Sequence, residues 1–182
     1  MTRGQDTVRL AGLARALQRE VDELVPLAQP TEPAEPTSID QATLYDILIS
    51  DADLQSATRA LFLNGHFASA VEEAYKYINN VVKSRSGQQH LDGSPLMEGA
   101  FGPASRRLRF NALKTVSQRD QQIGYMKIFA GCMTGIRNPR AHEHAYLDQP
   151  DVALELLVLA NHLMRMLNGA KRTRIRKPSA GP

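Results

Sequence analysis

The stretch IGYMKIFAGCMTGIRNPRAHEHAYLDQPDVALELLVLANHLMRMLN, residues 123–168, decides the fold. Its two ends are apolar at helical spacing, and its middle is a short polar and basic connection. In the first part Met126, Ile128, Phe129, Ala130, Met133 and Ile136 recur every three or four residues. This predicts a buried helix over about 123–137, with Gly131 and Gly135 permitting close backbone approach. Pro139 disfavours helical geometry at Asn138, so the helix is expected to stop there. In the last part Val152, Leu154, Leu156, Leu157, Leu159, Leu163, Met164 and Leu167 leave a helix over 150–168 apolar around most of its circumference. Such a helix is central to a bundle or forms half of a dimer interface.

Working outward, residues 66–83 place Phe67, Ala70, Val71, Ala74, Tyr77, Ile78, Val81 and Val82 on one stripe, with Glu72, Glu73, Lys76, Asn79 and Lys83 around the other side. A helical pattern also joins Leu44, Ile47 and Leu48 to Leu54, Ala57, Ala60, Leu61 and Phe62; Ser38 or Asp40 can cap its start and Asn64-Gly65 ends it. Gly87 and Gly93 mark a loop over 84–94, Pro95 suits the first turn of a short helix over 96–100, and Gly102-Pro103 breaks that helix. Between 105 and 122 only Leu108, Phe110 and Ala112 alternate, so this segment is expected to be an irregular insertion.

Near the N-terminus Val8, Ala11, Leu13, Ala14, Leu17, Val21, Leu24 and Val25 form an amphipathic pattern, and Pro26, Pro30, Pro33 and Pro36 then exclude a continued helix. The expectation is an all-α protein. An N-terminal amphipathic helix (1–28) and a Pro-rich linker (29–37) precede a bundle of four to five helices with an irregular insertion (38–169), and a basic flexible tail (170–182) follows.

Composition narrows the function classes. With 182 residues, 42% of them apolar, the chain can fold around one core without metal or disulfide staples. One cysteine, Cys132, can make no internal disulfide, which suits a reducing compartment. No apolar run approaches the roughly 20 residues of a membrane span, and no secretory h-region is present, so a cytoplasmic protein without a membrane partner is expected. The formal charge is +3. Its excess sits in Arg106, Arg107 and Arg109 and in Lys171, Arg172, Arg174, Arg176 and Lys177, which permits a polyanionic partner without demanding one.

The chemistry concentrates in Arg137-Asn138-Pro139-Arg140-Ala141-His142-Glu143-His144. A guanidinium holds a phosphate through parallel charge-assisted hydrogen bonds, and an imidazole near neutral pH can take or give a proton. Together they suffice for metal-independent RNA cleavage, in which the 2′-OH attacks the adjacent phosphorus and leaves a 2′,3′-cyclic phosphate and a 5′-OH. In that reading Arg137 stabilises charge on the phosphate, His142 moves protons or holds the scissile group, Asn138 fixes geometry, and Arg140 and His144 bind substrate. Spacing alone does not select this set, because Arg59 to His66 and Arg85 to His90 have comparable separations. The plainer alternative is that Arg137 caps a helix C-terminus and His142 packs against a neighbour. A metal held by His142 and His144 lacks a further ligand at obvious spacing, so neither metal nor cofactor is expected. Glu72 or Glu73 could pair with Arg137 or orient His142, or else be solvated.

The run from Gly131 to His142, with Arg137, Asn138 and His142, resembles the hallmark of the HEPN superfamily, an Arg, a polar residue, several variable positions and a His. Together with Leu96-Met97 to Phe101 and Gln121 to Gly124, it is similar to the Ymh family of small prokaryotic proteins associated with phage, plasmid and restriction loci, over about 40–168. The resemblance implies a HEPN-like bundle, commonly a homodimer, in which the motifs of two subunits meet in a cleft and cut RNA. It also implies a role in antiviral defence, abortive infection or a toxin–antitoxin-like system. The alternative is a non-catalytic RNA-binding or protein-interaction module that engages a partner or antitoxin through the N-terminal helix. A DNA-binding regulator trails both, since no helix pair is joined by the short turn of a helix-turn-helix reader.

Overall fold

The computed structural model describes residues 12–13, 15–20, 40–143 and 146–173. The chain divides into two compact units, 1–39 and 40–182. In the first, residues 12–13 and 15–20 are helical, with Leu13 and Leu17 exposed. The expected Pro-rich linker lies outside the described residues, as do the tail beyond Thr173 and most of the expected first helix.

The second unit is the all-α bundle that the periodicities predict. Its helices are α1 (Gln41–Leu48), α2 (Ala52–Leu63), α3 (Phe67–Ser86), α4 (Gly93–Phe101), α5 (Val116–Cys132), α6 (Asn138–His142) and α7 (Pro150–Gly169). A π-helical segment, Met133–Arg137, joins α5 to α6. The 20-residue α3 is the axle, packing against α2, α4, α7, the π segment and α6. Its stripe of Ala70, Val71, Ala74, Ile78 and Val82 is buried as expected, and Tyr75 joins it, donating its hydroxyl to the Leu156 carbonyl of α7 at 2.9 Å.

Three buried amides explain where the structure departs from the periodicity. The pattern from Leu44 to Phe62 reads as one helix, but the chain breaks after α1. Asp51 caps α2 by accepting from Leu54 N at 3.0 Å, and Asn161 of α7 fills the break. The Asn161 Oδ1 accepts from Ser50 N and Asp51 N, both at 3.0 Å, and its Nδ2 donates to Leu48 O at 3.2 Å. Asn79, read as part of the polar side of α3, is buried because its amide holds the turn before α4, donating to Asp92 and accepting from Gly93 N at 3.0 Å.

Gln122 does the same for the expected irregular insertion. It donates to Phe101 O and Leu108 O at 2.9 and 3.0 Å and accepts from Phe110 N at 3.0 Å, tying this segment to the end of α4. Phe110 thereby stacks on Phe101 and Phe129, with centroids 4.8 and 5.9 Å away. The helix after the insertion begins at Val116, seven positions before Ile123, because the Thr115 hydroxyl accepts from Gln118 N at 3.1 Å and the Gln118 side chain accepts from Lys114 N at 2.8 Å.

The expected flexible tail is also corrected at its root. Ala170 is buried, and Lys171–Arg172 form β2, an antiparallel partner of β1 (Leu108–Arg109) in the register Leu108↔Arg172, Arg109↔Lys171. Arg85 secures this return by donating to Leu167 O and to Ala170 O, satisfying carbonyls at the end of α7. No helix among the described residues is long and apolar enough to cross a membrane.

Candidate active site

Pro139 does not end its helix. Asn138 keeps helical angles, φ −61° and ψ −43°, and its N–H bonds to Met133 O, five residues back. A proline at 139 cannot donate to the carbonyl four residues earlier, and its ring crowds that carbonyl. The wider π turn opens the coil at that point, so α5, the π segment and α6 run on as one helix to His142. Single π turns of this kind recur at functional sites. The helix ends at Glu143, which turns extended while its N–H bonds to Pro139 O at 2.9 Å.

Arg137 and Arg140 sit on this same bend and differ completely. Arg140 is engaged on every side: Nε and Nη2 donate to the two carboxylate oxygens of Asp148 at 2.6 Å each, and Nη1 donates to Ile136 O at 2.8 Å. Both side chains of that pair are only 4% exposed, and the Tyr146 ring lies 4.7 Å from the guanidinium carbon. Arg140 was expected to bind substrate; its fork is instead filled by Asp148, and it fastens α6 to the connection before α7. Arg137 has no such partner among the described residues. It is half-buried, and its buried Nε has no hydrogen bond. Arg140, not Arg137, holds a main-chain carbonyl on this bend, that of Ile136.

The other Arg-to-His pairs are separated by the same criterion. Arg59 makes a two-pronged pair with Asp46 at 2.7 and 2.8 Å, and Arg85 caps α7. His162 of α7 is exposed and shares a hydrogen bond with the Tyr125 hydroxyl at 2.7 Å.

The surroundings of Arg137 come from α3 and the turn after it. Glu73, one of its anticipated partners, pairs with Lys76 at 2.8 Å. That contact raises the Lys76 ammonium above its usual range, with the Arg137 charge opposing. Burial pushes the Asp92 carboxyl up, yet hydrogen bonds from Asn79 and Gly93 and the charges of Lys83 and Arg137 together hold it below the ordinary carboxylate range. Arg137 is thus a cation set near Lys76 and Asp92 without being neutralised by an ion pair. Cys132, one turn earlier, is buried and its thiol is pushed up to about 11 by desolvation, so it is a packing residue.

Asn138 is half-buried and His142 exposed. Four residues apart, they share one side of α6, whereas Arg137 and His142 leave the helix about 140° apart. The side carrying His142 continues back through Gly135, Gly131 and Ile128 at three-and-four spacing. Ile128 is 44% exposed, and a Cβ added at either glycine would meet nothing within 4 Å. The two glycines therefore do not serve close packing inside the bundle, as the sequence suggests; they leave a flat outer face. His144 lies outside the described residues. Among the described residues no group of three or more His, Cys, Asp and Glu is placed to hold a metal.

A family model described as a protein of unknown function (Hypoth_ymh) matches residues 50–167, which takes in α2 to α6, nearly all of α7 and the whole bend from Arg137 to His142. No curated protein and no solved structure matches the chain.

Proposed function

The chain belongs to the Hypoth_ymh family, and on that premise we propose that it is a metal-independent endoribonuclease of the HEPN type. Its role would lie in phage defence or a toxin–antitoxin-like system. The observation that carries this reading is the selective freedom of Arg137. Of the three arginines that begin an Arg-to-His pair, Arg59 and Arg85 are occupied by protein partners, while Arg137 is half-buried with an orphaned Nε, on the same bend as the exposed His142. A buried donor left unpaired carries a desolvation penalty that a phosphate oxygen would relieve.

In the reaction the ribose 2′-OH attacks the adjacent phosphorus while the P–O5′ bond breaks. The 2′-OH proton goes to a base and the departing 5′ oxygen receives one, and His142 serves one of these transfers. Arg137 meets the charge that grows on the nonbridging oxygens, and Asn138, on the His142 side of α6, fixes the strand. No water is consumed, and the products end in a 2′,3′-cyclic phosphate and a 5′-OH.

Because Arg137 and His142 diverge around the helix, the reading favours a homodimer. The flat face of Ile128, Gly131 and Gly135 leads directly to Asn138 and His142, and apposing this face in two copies would bring two imidazoles and two Asn138 amides to one groove, with each Arg137 about 140° around its helix from it. Ile128→Arg is then expected to yield monomers by light scattering and to lose cutting with the fold intact.

The decisive experiment is incubation of the purified chain with total RNA in EDTA, followed by end-group analysis. Cyclic-phosphate ends are expected from the wild type, with a loss of at least about a hundredfold in Arg137→Ala and in His142→Ala. Cutting that persists in the double substitution defeats the nuclease reading. The divergence of Arg137 and His142 favours one other reading, a non-catalytic RNA-binding or protein-interaction module. That module would retain RNA or a partner and release no cyclic-phosphate product.

A further inference from the structure

The β1–β2 ribbon and the turn that follows it enclose a pocket of about 450 Å³ lined by Arg109, Phe110, Asn111, Ala112, Lys114 and Lys171. It belongs to the corrected parts of the fold, the ordered insertion and the docked root of the tail. Three of its six lining residues are cationic, and among the described residues none of the three has an ion-pair partner.

The register makes this arrangement costly when the pocket is empty. Arg109 and Lys171 are direct cross-strand partners, and like charges at opposed positions of an antiparallel pair destabilise it. The Arg109 Nε is buried without a hydrogen bond. Lys114 is carried into the same pocket by a tightly specified turn. Asn111 Oδ1 accepts from Leu113 N at 2.8 Å, Leu113 adopts φ +58°, and Asn111 Nδ2 is anchored to Gln118 O and Gln121 Oε1, each at 2.8 Å. A leucine in the left-handed region is held there against its own preference. The floor beneath is rigid, since Phe110 is stacked into the aromatic core.

A phosphate group answers all three features at once: it supplies acceptors to Arg109, neutralises the facing pair, and draws in Lys114. The volume exceeds what a bare phosphate fills and falls within the range of small-molecule sites. We propose that this pocket binds a phosphate-bearing ligand of nucleotide size, the phosphate being held by Arg109, Lys114 and Lys171. The site is separate from the Arg137 bend and does not depend on the nuclease reading. Its phosphate can arrive on a free nucleotide or on the end of an RNA strand.

Calorimetric titration of the full chain with ADP and, separately, with a 5′-phosphorylated RNA tetranucleotide tests the proposal and distinguishes the sources. The expected result is binding of at least one of them, weakened at least about tenfold by Lys171→Glu and by Lys114→Glu and unchanged by Lys127→Glu, a charge reversal on the exposed side of α5. Binding of ADP assigns the site to free nucleotides; binding of the tetranucleotide alone assigns it to strand ends. Lys171→Glu places a carboxylate opposite Arg109, so it is expected to melt no lower than the wild type while losing the ligand, and Lys114→Glu carries the test if it does not fold. The proposal is overturned if neither ligand binds at millimolar concentration, or if Lys127→Glu weakens binding as much as the pocket substitutions.

Discussion

Two turns of one helix carry an arginine each, and the contrast between them separates architecture from chemistry in this protein. Around Arg140 every donor direction is used, by both oxygens of a buried aspartate and by the Ile136 carbonyl. Around Arg137, three residues earlier, a guanidinium of the same intrinsic strength is left with an unpaired nitrogen and, among the described residues, no ion-pair partner. A side chain with all its bonds made holds the bend in place. One whose bonds are unmade on that same rigid bend is available for a ligand.

Substitutions can break the contrast, and the largest effect belongs to the occupied arginine. Asp148→Ala strands a buried guanidinium and is expected to destabilise the chain by about 3–5 kcal/mol, read as a lower urea midpoint. A loss under about 1 kcal/mol would show that Arg140 finds water or another acceptor. Arg140→Lys keeps the charge but not the planar fork, so one carboxylate oxygen and Ile136 O lose their donor. A cost of about 1–3 kcal/mol is expected, smaller than for Asp148→Ala, in the same unfolding measurement.

For the free arginine the order reverses. Arg137→Ala is expected to alter stability by less than about 1 kcal/mol, through its packed stem alone, because no ion pair with the described residues is lost. Destabilisation comparable to Asp148→Ala would reveal a structural role and erase the difference between the two turns. The smallest effect is expected for His142→Ala, within about 0.5 kcal/mol, since the imidazole is exposed and no hydrogen bond to the described residues ties it to the bundle. Thermal melts beside the RNA assay separate these stability effects from any loss of cutting.

Much of the bundle was legible before any coordinates. The α3 stripe, the span of α7, the Asp40 cap and the Asn64-Gly65 stop all rest on interactions within a few residues, and each is found. One missed boundary was legible too, since Thr115-Val116-Ser117-Gln118 has the spacing of a helix start. The breaks that went unread were those made by Asn161, Asn79 and Gln122. A polar side chain in an apolar pattern reads as surface, yet these three are buried because each saturates backbone groups that a break or turn exposes. For Asn161 those groups lie more than 100 residues away in the chain.

The candidate site divides in the same way. Its chemistry was visible in the residue types from Arg137 to His142, and neither residue type nor spacing distinguished Arg137 from Arg140, or from Arg59 and Arg85. The sequence by itself determined an all-α bundle and a basic, histidine-bearing segment between two apolar helical stretches, because periodicity and capping act over one or two turns. Only the tertiary structure decided which arginine is occupied, that the helix passes through its proline, and that two facing cations border a pocket. Those outcomes depend on which partner the folded chain brings within hydrogen-bond reach, and no local pattern encodes that.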